Sequence, residues 1–134
     1  MLARREHSTL ELRRKLQARS IDAGLIDEVL AQLADEGLLS EQRFTEAYVR
    51  GRCERGYGPL RIRAELRERG IGDGLIEVYL SPWSECWPES AEAQRRKRFG
   101  EALPQDFRER ARQTRFLQQR GFSGEHIRAL FDEP

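Results

Sequence analysis

The chain has 134 residues, of which 24 are basic and 23 acidic, leaving a formal net charge of +1, with 35% charged and 38% hydrophobic residues. So even a balance excludes both a strongly basic nucleic-acid tail and an acidic disordered tail. No apolar stretch exceeds a few residues, which excludes a transmembrane span or a signal-peptide core.

In chain order, Ser8 and Glu11 form an S-x-x-E capping box that opens a helix over 8–19, with Leu12 and Leu16 at helical spacing. Asp22 is placed to cap a second helix whose apolar stripe is Leu25, Ile26, Val29, Leu30 and Leu33. Gly37 suits the left-handed position after that helix. Ser40 caps a helix over 40–55, with Phe44, Ala47 and Tyr48 on one face. Gly58-Pro59 starts the next helix, because proline fits a first turn, and Gly70 ends it. Asp73 is expected to cap the helix after that. Residues 81–89, SPWSECWPE, read as a linker, followed by a helix over 90–102. Trp83 and Trp87, one turn apart, are expected to clamp the flanking units. Gly121 ends a further helix and Ser123 caps the last one.

These elements repeat. Residues 8–30 laid over 58–80 share nine of 23 positions, among them Leu16/Leu66, Arg19/Arg69 and Ile26/Ile76. Residues 58–80 laid over 109–131 share five, including Leu66/Leu117, Arg69/Arg120 and Gly70/Gly121. With the helices at 40–55 and 90–102 as leading elements, the unit is three helices. Leu and Ala number 28 against nine Val and Ile, which favours helix throughout. The fold class expected is all-α: tandem three-helix repeats in an elongated array, with units at 1–37, 38–81 and 82–134. The counterpart of helix 40–55 in the first unit is reduced to LARR at 2–5, so that unit is expected to be N-terminally incomplete. Leu10, Leu12 and the Ile26/Leu30 side are then expected to be exposed. Leu16, Leu66 and Leu117 are expected to form a shared core.

No GxSxG, HExxH or P-loop occurs, and His7 and His126 stand alone. Cys53 and Cys86 have no CxxC or HxxxH partner. The chain reads as a non-enzyme without metal or cofactor, in a reducing, cytoplasmic setting, and as a monomer. Arg63 and Arg67 share one face of the central repeat while Ile62 and Leu66 take the core. With Arg61, and with Arg95, Arg96 and Arg98 in the densest basic cluster, they are the candidate partner-binding residues. A solvated helix face explains the 95–98 cluster equally well, since adjacent helical residues fan apart. Arg19, Arg69 and Arg120 are read as cations at helix C-termini, favoured by the macrodipole. Tyr57 between two glycines is read as closing a joint rather than stacking on nucleic acid. Gly58, Pro59, Gly70 and Gly121 serve the turns.

GYGPLRI at 56–62, ELRERGI at 65–71 and FLQQRGF at 116–122, with REHSTLELRRKL at 5–16 and GLLSEQRF at 37–44, resemble the bacterial RecX family of RecA regulators. The likeness runs from about Ala3 to Phe131. It departs in the short first repeat, in Thr45 where relatives often carry Ala, and in the 81–89 linker. The resemblance implies binding in the groove of the RecA–DNA filament, and inhibition of strand exchange and of ATP hydrolysis. The alternative is a helical protein that binds single- or double-stranded DNA without sequence preference. A pI of about 7.8 weighs against that, because DNA-binding domains usually exceed about 9.

Overall fold

A computed structural model describes residues 5–132. Among them are eight α-helices and no strand: α1 (Thr9–Ala18), α2 (Ala23–Asp35), α3 (Glu41–Glu54), α4 (Pro59–Glu68), α5 (Asp73–Leu80), α6 (Trp87–Phe99), α7 (Phe107–Arg120) and α8 (Gly124–Phe131). Residues 2–4 of the LARR segment lie outside the described residues.

The helix starts follow local chemistry. The Ser8–Glu11 capping box forms in both directions, Asp22 accepts from the N–H groups of Gly24 and Leu25, and Ser40 and Ser123 cap α3 and α8. Asp73 does not cap α5. Gly72 holds that position, and Asp73 sits one residue inside, where its charge meets the helix dipole and the guanidinium of Arg67. The segment read as a linker is largely helical. A single 3-10 turn spans Ser81–Trp83 and α6 already begins at Trp87, with Pro88 in its first turn, because a first-turn proline removes no intrahelical bond.

The ends of α2, α3, α4 and α7 share one device. At Gly37, Gly56, Gly70 and Gly121 the backbone is left-handed, and the glycine N–H and the one after it fold back on the last carbonyls. At Gly70, for example, Gly70 N–H reaches Arg67 O at 3.0 Å and Ile71 N–H reaches Leu66 O at 3.1 Å. Ser20, the counterpart of Gly70 and Gly121, makes the same pair of bonds at φ 60 without being glycine.

The three repeats do not have three cores. Phe44, Ile62, Leu66, Ile76, Trp87, Leu117 and Phe122 belong to one continuous buried cluster that runs from α3 to α8. The second and third repeats therefore fold around a common interior. Trp87, 5% exposed, lies inside it, with Trp83 packed against it; the tryptophans do clamp the two repeats. The first repeat has its own smaller cluster, Leu12, Ile26, Leu30 and Leu39. Leu16 packs only at the edge of this second cluster, so it does not share the core of Leu66 and Leu117. Nor are Leu12, Ile26 and Leu30 exposed as expected: they are 6%, 1% and 5% accessible. After the Gly37 turn, Leu39 folds back over the α1–α2 pair, and Leu10 lies against Gly70 of the second repeat.

Candidate partner-binding surface

The joint between the second and third repeats is backbone against backbone. The first N–H groups of α4 have no partner within their own helix, nor have the last carbonyls of α7. Here they satisfy each other: Gly58 N–H donates to Arg120 O at 2.8 Å and Leu60 N–H to Gly121 O at 2.9 Å. A Cβ on Gly58 would sit 2.5 Å from the Gly121 carbonyl, and one on Gly121 would sit 2.4 Å from Arg61 Cβ. Glycine is required at both positions for close approach. Gly56 is likewise covered by Gln94 of α6.

Beside this joint lies a network of guanidiniums, phenols and one carboxylate. Glu65 on α4 accepts from Arg52 Nε and Nη2 at 2.8 and 2.6 Å, from Tyr48 Oη at 2.9 Å and from Arg61 Nε at 3.1 Å. Burial alone would raise the Glu65 pKa, but these hydrogen bonds outweigh it and hold the carboxyl at about 2. Burial, reinforced by the bond to Glu65, pushes the Tyr48 phenol up to about 12. Tyr57 carries three guanidiniums over its ring, those of Arg52, Arg61 and Arg120, at 4.1, 4.4 and 4.2 Å. Tyr57 thus closes the joint, as its position between two glycines suggests.

The recurrent arginines do more than favour helix dipoles. Arg120 donates to the carbonyls of Arg55 and Gly56 and to Gln94 Oε1, tying the third repeat to the second. Arg69 lies 4.9 Å from the centre of the Tyr48 ring and 3.6 Å from Glu11 of the first repeat. In both copies this arginine reaches back to the preceding unit. Sequence spacing alone did not reveal the Tyr48–Arg52–Glu65 centre, because its members lie on two helices. Its local signals were two i,i+4 pairs, Tyr48 with Arg52 on α3 and Arg61 with Glu65 on α4.

The six candidate arginines divide by environment. Arg61 is drawn into the joint, bound to Glu65 and to the Gln119 carbonyl. Arg63 pairs with Glu77 at 2.8 Å and Arg67 with Asp73 at 2.7 Å, so both lie along the α4–α5 surface on carboxylates. Arg96 pairs with Glu92 and stays exposed, and Arg98 lies over the edge-to-face pair Phe99 and Phe116. Arg95 must be removed from the surface set. It is fully buried, bonded through Nε and Nη2 to Glu92 at 2.7 and 3.0 Å and to the carbonyls of Gly100, Glu101 and Ala102. Its guanidinium organises the turn that ends α6, a buried charge made tolerable by full hydrogen bonding. Thr45 is buried too, its hydroxyl donating to Glu41 O.

Between the lead-in to α1 and α3 lies a cleft of about 380 Å³ whose rim includes Arg5, Arg52, Arg55 and Arg69, with Phe44 and Tyr48 in its wall. Among the described residues no group of three His, Cys, Asp or Glu could hold a metal ion, and no helix is long and apolar enough to cross a membrane.

The chain matches the family models for the first, second and third three-helix domains of RecX over residues 1–33, 40–80 and 88–131. It is 50% identical over 129 residues to the regulatory protein RecX of Halorhodospira halophila, covering 96% of this chain and 80% of that protein. It is 48% identical over 130 residues to that of Pseudomonas entomophila, covering 97% and 84%. The crystal structure of a regulatory protein RecX superposes on 98% of this chain with a TM-score of 0.82 at 25% identity; the chain spans 66% of that longer protein. RecX from Lactobacillus salivarius shares the fold, with a TM-score of 0.79 at 23% identity over 96% of this chain and 86% of that one.

Proposed function

Because the chain belongs to the RecX family of regulatory proteins, we propose that it regulates the RecA recombinase by lying along the groove of the RecA–DNA filament, where it restrains strand exchange and ATP hydrolysis. The observation that carries this reading is the match of three RecX domains, in order, at 50% identity to a regulatory protein. The structure supplies a physical basis. Helical units joined end to end offer an extended surface, and a surface that touches several subunits gains affinity by avidity rather than by any one strong contact.

In this reading Arg63, Arg67, Arg96 and Arg98 face the filament. Arg63, Arg67 and Arg96 already hold carboxylates of their own chain. Such exposed pairs are weak in water, so a guanidinium can exchange its carboxylate for a partner's carboxylate or a DNA phosphate at little cost. Reversing Arg63 and Arg67 to Glu should relieve inhibition of RecA ATP hydrolysis while leaving the circular dichroism unchanged. A variant that inhibits as well as the parent would show that this face is not the contact. Direct binding to nucleic acid is the second reading. Arg98 and Arg112 over the rings of Phe99 and Phe116 interleave cations with aromatics, as non-specific single-strand binders do. A salt titration on bare single-stranded DNA, with and without RecA, separates the two.

A further inference from the structure

The net charge of +1 conceals two poles. From Ser20 to Gln42 the sequence carries six acidic residues and no basic one; from Gln94 to Arg120 it carries nine basic residues and three acidic. The structure places these segments in different units, α2 packing on α1 and α7 on α6 and α8. Both poles also expose apolar side chains. Leu25 and Leu38 are 50% and 49% accessible at the acidic pole, and Leu103 and Phe107 are 43% and 87% accessible at the basic one.

The geometry of the two faces matches. On α2, Leu25, Glu28, Gln32 and Asp35 follow one another at helical spacing, and Glu28, Gln32 and Asp35 are exposed like Leu25. On α7, Arg108, Arg112 and Arg115 form an exposed stripe beginning beside Phe107. Glu28, Asp35, Arg108 and Arg115 make no ion pair among the described residues, whereas Arg63 and Arg67 of α4 are neutralised on α5. Phe107 is almost fully exposed, at the head of a basic stripe in which Glu109 holds only Arg112, and such a face is a surface awaiting a partner that is both apolar and acidic. This chain carries such a surface on its own α2.

We propose that copies of this protein associate head to tail, the α7 face with Phe107 of one copy docking on the α2 face with Leu25 of the next. The two faces differ, so the contact is heterologous and open-ended. It would let successive copies lie in line, adding cooperativity to whatever surface they occupy. Salt screens a contact between opposite charges, so the association should dissolve in dilute protein at high salt.

Sedimentation velocity on the full chain alone tests this, without RecA or DNA. At about 20 mM salt the weight-average mass should climb at least about twofold above 15.6 kDa with rising concentration, and fall back to it at about 0.5 M salt, where the Debye length is only a few ångströms. E28R/D35R and R108E/R115E should each abolish the rise while keeping native helicity. Combining all four substitutions restores complementarity with opposite sign, and should restore the rise. A monomer mass at every concentration in low salt would overturn the proposal. So would association that survives either single-face reversal, or a four-fold variant that stays monomeric.

Discussion

Replacing Gly121 by alanine places two separate demands on the structure, and they can be measured apart. The residue has φ +103, and its Cβ would lie 2.4 Å from Arg61 Cβ and 2.7 Å from Arg61 N. The left-handed backbone costs a non-glycine residue about 1–2 kcal/mol. The overlap must then be relieved by withdrawing the start of α4 from the end of α7, which breaks the bonds from Gly58 and Leu60 to Arg120 and Gly121. Two backbone hydrogen bonds at about 0.5–1.5 kcal/mol each bring the loss to about 2–5 kcal/mol, a large part of a usual domain stability of about 5–15 kcal/mol. Two companion variants separate the demands. Gly37, at φ +74, has nothing within 4 Å of its would-be Cβ, so G37A carries only the backbone penalty. Gly58 lies at φ −96 but its Cβ would meet the Gly121 carbonyl at 2.5 Å, so G58A carries only the overlap. Urea unfolding followed by circular dichroism should rank G121A below both. Equal losses for G121A and G37A would refute the account of a backbone-to-backbone joint.

The Glu65 centre should make the fold acid-sensitive. A carboxyl that titrates at about 2 when folded, against an ordinary 4.5, contributes about 3 kcal/mol that is fully present above pH 4.5 and is lost as pH falls towards 2; E65Q should be less stable at neutral pH and lose less of its stability across that window, both read from urea midpoints. Ser20 holds φ 60 where the other copies have glycine, so S20G should raise stability by about 0.5–1 kcal/mol in thermal unfolding.

Apart from the cap of α5 and the helical 81–89 segment, helices, caps and the repeat were determined by the sequence alone, because each rests on interactions within about four residues: a hydroxyl to an N–H three residues on, a glycine at a left-handed stop, apolar residues every third or fourth place. The RecX resemblance was legible for the same reason, since GYGPLRI and RGF are turn motifs. The sequence also flagged Arg61, Arg63, Arg67, Arg95, Arg96 and Arg98 as one class of surface cation, and here local information ran out. Whether a guanidinium faces solvent depends on what the chain brings beside it. Arg95 meets the carbonyls of its own returning turn and is buried, Arg61 meets Glu65 and Tyr57 in the joint, and Arg96 one residue further on stays exposed. The fusion of the second and third cores through Trp87, the reach of Arg69 and Arg120 into the preceding repeat, and the need for glycine at 58 and 121 were decided by packing between units. Periodicity assigns a residue to a face of its helix; only the tertiary structure says what stands opposite that face, and so whether a charge is a contact, a strut or a buried tie.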